Sequence, residues 1–163
     1  MATLTSGKIV GAALVSHHPG LFQPKSFRVT AGNGQDSDLI EGFARVRAKI
    51  DSVKPDIIVI LDTHWFTTGC HLIDAGEHYE GTYVSDEMPW YLYGQEYDYK
   101  GAPEFAELCA EVALEEGVIA RAIDVPTMAR HYATINIVNA LVNDEKVVSV
   151  GSCQTASTKN YLE

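Results

Sequence analysis

Hydrophobic positions along the chain fall into short solid runs and longer helical stripes, and their order predicts the elements. Ile9 to Val15 is a short apolar run that ends at Ser16-His17-His18-Pro19, the pattern of a buried strand running out into a loop. Across the opening residues 1–20, a single Lys, the break at Gly11 and the lack of a small-residue cleavage pattern mark a strand rather than a signal peptide. Pro24 to Gln35, with its Gly, Asn and Ser, reads as a loop. From Asp38, a candidate cap, the apolar residues Leu39, Phe43, Val46, Ile50 and Val53 recur at helical spacing until Pro55. Ile57 to Leu61 is apolar at every position, as expected of a strand covered on both faces. Strand, helix and strand in this order predict a βαβ unit with parallel strands.

Thr68 to Lys100 has no sustained period beyond a short strand at His71 to Ala75, and reads as a long functional excursion, the wall or lid of a site. Pro103 opens a second helical stripe through Phe105, Leu108, Cys109 and Val112, and Gly117 stops it. A strand at Val118 to Ile123, a helix at Thr134 to Val142 and a buried strand at Val147 to Gly151 follow. Ser157 or Thr158 then caps a helix that has barely begun. A helix that short is marginal alone and leaves a sheet edge uncovered, so residues 1–163 read as the amino-terminal part of a single α/β domain. The predicted fold is a doubly wound, mainly parallel sheet flanked by helices.

Composition narrows the class. With 163 residues, 46% hydrophobic and 21% charged, the chain can build a core without a disulfide or structural metal. Twelve Lys and Arg against 22 Asp and Glu, a net charge of -10 and no basic run argue against nucleic acid and anionic membranes as partners. No window reaches the ~18 apolar residues of a membrane span. Three cysteines without CxxC spacing suggest a reducing compartment, and the cytoplasm is the expected location.

Open parallel sheets bind ligands beyond the carboxyl ends of their strands, where both His17 and His64 fall. Two imidazoles converging from neighbouring strand ends begin a divalent transition-metal site; the alternative is that each caps a strand end by bonding loop backbone. His18 competes with His17, because adjacent residues at a strand end point to opposite sides. Asp62 is a ligand, an acceptor that orients an imidazole, a substrate contact or a solvated loop carboxylate. His78 and His131 lie in loops from which they can reach the same cavity, and His71 in its strand reads as structural. Cys153, with no base beside it, reads as a small buried side chain.

Ser16-His17-His18-Pro19 resembles the S/T-H-x-P motif of class III extradiol ring-cleaving dioxygenases, the protocatechuate 4,5-dioxygenase β-subunit superfamily, and Asp62-Thr63-His64-Trp65 resembles their second histidine motif. Glu77 to Pro89, Tyr97 to Gly101 and Tyr132-Ala133-Thr134 are similar to the homoprotocatechuate branch of that family. The resemblance implies His17 and His64 as ligands of Fe(2+), with His18 at a variable position that faces substrate. It implies a third ligand, a glutamate, and an acid-base histidine beyond Glu163. Tyr132 stands where other relatives carry an active-site histidine, so Tyr132, with His131 beside it, is expected to act on bound substrate or oxygen.

The reaction so implied is O2-dependent cleavage of a catechol beside its hydroxyls, in aromatic catabolism. Asp62 or Glu77 is an alternative third ligand. The chain is expected to work as a homo-oligomer or with a complementing chain that carries the missing half, and alone to hold iron weakly. Two rivals remain: a non-enzymatic binding module of the same fold, and a zinc-dependent hydrolase built on the same strand ends.

Overall fold

A computed structural model describes residues 7–162. The first part of the amino-terminal stretch discussed above, Met1 to Ser6, and Glu163 lie outside the described residues. The elements are a 3-10 turn (Pro19–Phe22), α1 (Lys25–Ala31), α2 (Asp38–Val53), β1 (Ile57–Thr67), β2 (His71–Asp74), β3 (His78–Tyr83), β4 (Gln95–Lys100), α3 (Pro103–Glu115), β5 (Ala120–Ile123), α4 (Tyr132–Leu141), β6 (Lys146–Cys153) and α5 (Thr158–Leu162).

Four strands form the main sheet in the order β1-β6-β2-β5. β1 with β6 and β2 with β5 are parallel, whereas β2 with β6 is antiparallel. Helices cover both faces. On one face Phe43 of α2 and Ile135, Val138 and Leu141 of α4 bury against Ile60 and Val147. On the other, Ala106 of α3 packs with Ile73 and Val148. The fold is therefore mixed α/β with a mainly parallel sheet, as the run-and-stripe pattern predicts.

Local chemistry sets the helix ends. Ser37, not Asp38, caps α2: its hydroxyl accepts from the Leu39 N–H at 3.3 Å, and Asp38 and Glu41 place negative charge in the positive first turn. Lys54 closes it with a left-handed φ of 49°, because Pro55 disfavours a further helical residue. α4 is buried along almost its whole length, which makes it the central helix.

Four expectations are corrected. Ile9 to Val15 forms no strand: it runs extended and unpaired, with Ile9 92% and Leu14 103% exposed, so the first βαβ unit is not made among the described residues. An apolar run becomes a strand only against a partner edge, and none here pairs with it. For the same reason β1 is not covered on both faces; Ile58 and Ile60 pack inward while Val59 and Leu61 stay exposed. In the Thr68 to Lys100 excursion the short strand expected at His71 forms as β2 of the main sheet, but the rest also holds a β3–β4 hairpin that forms a second sheet, and the loop at Pro24 to Gln35 contains α1.

β1 and β6 approach closely at Gly151. A Cβ there would sit 2.7 Å from Trp65 Cδ2 and 3.0 Å from Thr67 Cγ2. Gly151→Ala is expected to destabilise the chain by about 1–3 kcal/mol through overpacking, measured as a lower urea midpoint; an unchanged midpoint would mean that the sheet yields freely here.

Candidate metal centre and adjoining cavity

The centre is built on a break in strand pairing. The β1–β6 register runs regularly to Asp62↔Gly151 and resumes at Phe66↔Ser152, so Thr63, His64 and Trp65 bulge from β1. A bulge re-aims side chains and frees backbone N–H groups. Here one oxygen of Asp62 accepts both freed donors, from His64 at 2.7 Å and Trp65 at 2.9 Å. Its other oxygen accepts from the backbone N–H and hydroxyl of Thr134, at 3.0 and 2.5 Å, in the first turn of α4. The Thr134 hydroxyl also meets Ser149 of β6 at 2.7 Å. Asp62 is only 1% exposed, so one buried carboxylate ties the bulge to the start of the central helix.

That tie brings three rings together. His17 Nε2 lies 3.1 Å from His64 Nε2, and the Tyr132 hydroxyl lies 2.7 Å from the same His64 nitrogen. His17 arrives on the loop before the 3-10 turn, which α4 holds through Asn136: its side-chain amide donates to the His18 carbonyl at 3.1 Å. Thr63 Oγ1, at 3.5 Å, faces His17 Nδ1. Burial first, and then the proximity of His64, lowers the His17 pKa, while Asp62 opposes the shift; the net direction favours the neutral imidazole. Burial, followed by the charge of Glu87, raises the Tyr132 pKa, so its phenol keeps its proton and can donate.

His64 Nε2 has one lone pair or one proton, yet it faces two polar neighbours. A single hydrogen bond satisfies it. The remaining contact sets two imidazole nitrogens against each other in the way a shared cation accommodates: nitrogens ~2.1 Å from one ion in adjacent positions sit ~3 Å apart. The donor set thus fits two places on a transition metal. Among the described residues no third His, Cys, Asp or Glu atom joins them within 4.8 Å; the one such trio is His78, Glu80 and Asp98 on the exposed β3–β4 hairpin.

Of the other expected site residues, His131 and Asp62 adjoin the rings, whereas His18 and His78 are engaged elsewhere. His18 turns its Nδ1 to the Gly20 N–H at 3.0 Å and caps the 3-10 turn. His78 pairs with Asp98 at 2.7 Å across the hairpin. Asp62 spends its oxygens on backbone and Thr134, as above. His131 stacks on Trp65, with centroids 6.2 Å apart, and lines a cavity. His71 accepts from the Cys153 N–H at 3.3 Å. Asn136, and the bond of Thr134 to Asp62, were missed by motif reading; their signal is a polar residue in a helix otherwise apolar enough to be central.

A cavity of about 310 Å³ opens beside the rings, lined by His64, Tyr132, His131, Arg130, Tyr97 and the segment Thr82 to Glu87. Its size falls at the lower end of the ~300–1,000 Å³ common for small-molecule sites. Thr82 to Glu87 and Tyr97 of this lining belong to the Thr68 to Lys100 segment.

A family model described as the catalytic LigB subunit of aromatic ring-opening dioxygenase matches residues 11–157. A 3,4-dihydroxyphenylacetate 2,3-dioxygenase of Escherichia coli is 30% identical over 148 residues, covering 90% of this chain and 53% of the relative. A 2-aminophenol 1,6-dioxygenase beta subunit of Pseudomonas sp is 25% identical over 167 residues, covering 98% of this chain and 52% of that subunit. The chain thus spans about half the length of these curated relatives.

Proposed function

The chain belongs to the family of catalytic LigB subunits of aromatic ring-opening dioxygenases, and from that premise we propose that it supplies His17 and His64 as ligands of Fe(II) in an enzyme that cleaves a catechol ring with O2. The observation that carries the reading is the pair of imidazole nitrogens at 3.1 Å beside a phenol and an open cavity.

When bound, a ferrous ion supplies Lewis acidity toward the catechol hydroxyls and a path for electrons to O2. The residues of the chain do the rest. Asp62 fixes the bulge and hence the direction of His64. Asn136 fixes the loop of His17. Tyr132, protonated and 2.7 Å from a ligand nitrogen, donates a hydrogen bond to substrate or oxygen at the reacting end. Trp65 and His131 stack behind that end. The third ligand of the facial triad, a glutamate, and the acid-base histidine are assigned to sequence beyond Glu163 or to a complementing chain. Exposed Ile9, Leu14, Val59, Leu61 and Phe66 support a working form that covers this apolar surface, as a homo-oligomer or with such a chain. No helix among the described residues is long and apolar enough to cross a membrane.

The test is direct. Completed by its missing ligands and loaded with Fe(II) without air, the enzyme is expected to turn a catechol yellow on exposure to O2 as a semialdehyde forms. Zinc in its place is expected to give no colour, because zinc transfers no electrons. Equal turnover with zinc, or no oxygen uptake with iron, would overturn the reading and leave the hydrolase or binding module.

Tyr132→Phe is expected to lower kcat about tenfold or more while iron content stays near wild type, since the hydroxyl acts on the transition state and not on the metal. A kcat equal to wild type would reduce Tyr132 to a packing residue.

A further inference from the structure

Tyr132 is the first residue of α4, and the start of that helix is held from two sides. After Tyr132, the Thr134 N–H and hydroxyl are bound by Asp62, as described above. Before it, the connection from β5 is exposed over residues 124–127, so burial does not fix its course. Arg130 does. Its Nε and Nη2 both donate to the Met128 carbonyl, at 3.3 and 3.2 Å, and its Nη1 donates to the Asp74 carboxylate at the end of β2. The two side chains of this ion pair are buried, at 6% and 3% exposure. The guanidinium carbon also lies 4.7 Å over the ring of Tyr79 in β3.

The consequence is a braced turn. The Met128 N–H donates to the Val125 carbonyl at 2.9 Å, so the arginine fork closes this turn and pins it to the main sheet and to the hairpin at once. Directly after it, the His131 carbonyl accepts from the Ile135 N–H at 3.1 Å and opens α4. The Tyr132 hydroxyl then stands 2.7 Å from His64 Nε2, with the two ring centroids 4.3 Å apart. Stability alone does not call for such a pair, because apolar side chains of the same volume often serve a core as well or better. What they lack is direction, and the residue two positions on depends on it.

We propose that Arg130 is a positioning residue: braced on Asp74, its guanidinium sets the turn that presents the Tyr132 hydroxyl at the reacting end. This rests on the ring-cleavage reading above, in which Tyr132 donates to substrate or oxygen. A hydroxyl displaced by a fraction of an ångström loses part of its effect on the rate, whereas the two imidazoles, carried by other segments, keep the metal.

The test is Arg130→Lys, which keeps a buried cation for Asp74 but replaces the fork by one nitrogen, so that carboxylate and carbonyl are no longer bridged by a rigid plane. In the completed, iron-loaded enzyme kcat is expected to fall about fivefold, with iron content and KM within about twofold of wild type. In a Tyr132→Phe background the same substitution is expected to change kcat by less than about twofold, since no hydroxyl is left to misplace. A second readout needs no turnover: in NMR spectra of the 163-residue chain with Zn(II) present, the nuclear Overhauser contact between the Tyr132 and His64 rings is expected to weaken in Arg130→Lys, while contacts among Ile135, Val138 and Val147 persist. If Arg130→Lys does not fold, the pair Arg130→Met, Asp74→Leu leaves no unpaired buried charge and is read in the same way. Wild-type kcat, an equal fall in the Tyr132→Phe background, or an unchanged ring contact would overturn the inference and leave the ring-cleavage reading standing. Tyr132→Phe with wild-type kcat would instead remove Tyr132 from that reading, and the inference with it.

Discussion

With His64 replaced by alanine, the chain is expected to lose Fe(II) affinity by at least ~10-fold, the lower bound set by mutating even a supporting residue of a metal site. The cause is the donor set. Two imidazole nitrogens at 3.1 Å are all that the described residues offer in this place, and the substitution leaves one. Ring cleavage in the completed enzyme is expected to vanish with the iron. Stability should change little by comparison, by about 1 kcal/mol, because His64 is half-buried and its partners can turn to water. Anaerobic titration of iron, with urea unfolding as the parallel measurement, separates the two effects. Unaltered iron affinity would remove His64 from the centre.

Asp62→Ala is expected to act the other way, on the fold first and the metal second. The substitution strands three donors, the backbone N–H groups of His64, Trp65 and Thr134, and leaves the Thr134 hydroxyl with Ser149 alone. Removing one partner of a buried, charge-assisted network costs about 3–5 kcal/mol, and at this chain length each kcal/mol lowers Tm by about 2–4 °C. With the bulge released, His64 loses its direction, so iron affinity is expected to fall about 10- to 100-fold in whatever fraction stays folded. Asp62→Asn keeps one acceptor oxygen and is expected to fall between wild type and Ala. Calorimetric melting of the three proteins decides it, and a wild-type Tm for Asp62→Ala would mean that the network contributes no net stability.

The fold was legible where its signal is local. The stripe from Leu39 to Val53, the β-branched run at Ile57 to Leu61 and the Pro103-to-Gly117 helix need only neighbours in sequence, and all three form elements of the type read, although β1 is not covered on both faces. β3 and β4 were not legible. Their residues Glu80, Thr82, Glu96 and Asp98 are exposed, and the hairpin's apolar side consists of Tyr79, Tyr83, Tyr97 and Tyr99, so the apolar alternation that marks a strand is weak. The Ile9 to Val15 run failed for the opposite reason: its pattern is that of a strand, but pairing is a property of the partner edge.

Sequence by itself determined α2, β1, α3, α4 and β6, the α/β class and the fact that His17 and His64 follow apolar runs, because hydrophobic period and turn chemistry are read within a few residues. Motif likeness also singled out Tyr132 before any coordinates. Only the tertiary structure decided which of two adjacent histidines meets His64: the His18 ring is taken by the Gly20 N–H, while Asn136, 118 residues away from the carbonyl it holds, fixes the loop that presents His17. It likewise decided that Asp62 is a bracket, since its partners Thr134 and, through it, Ser149 lie far along the chain. Such choices turn on which lone pairs and donors are already satisfied, and satisfaction is settled by contacts between elements that no local pattern records.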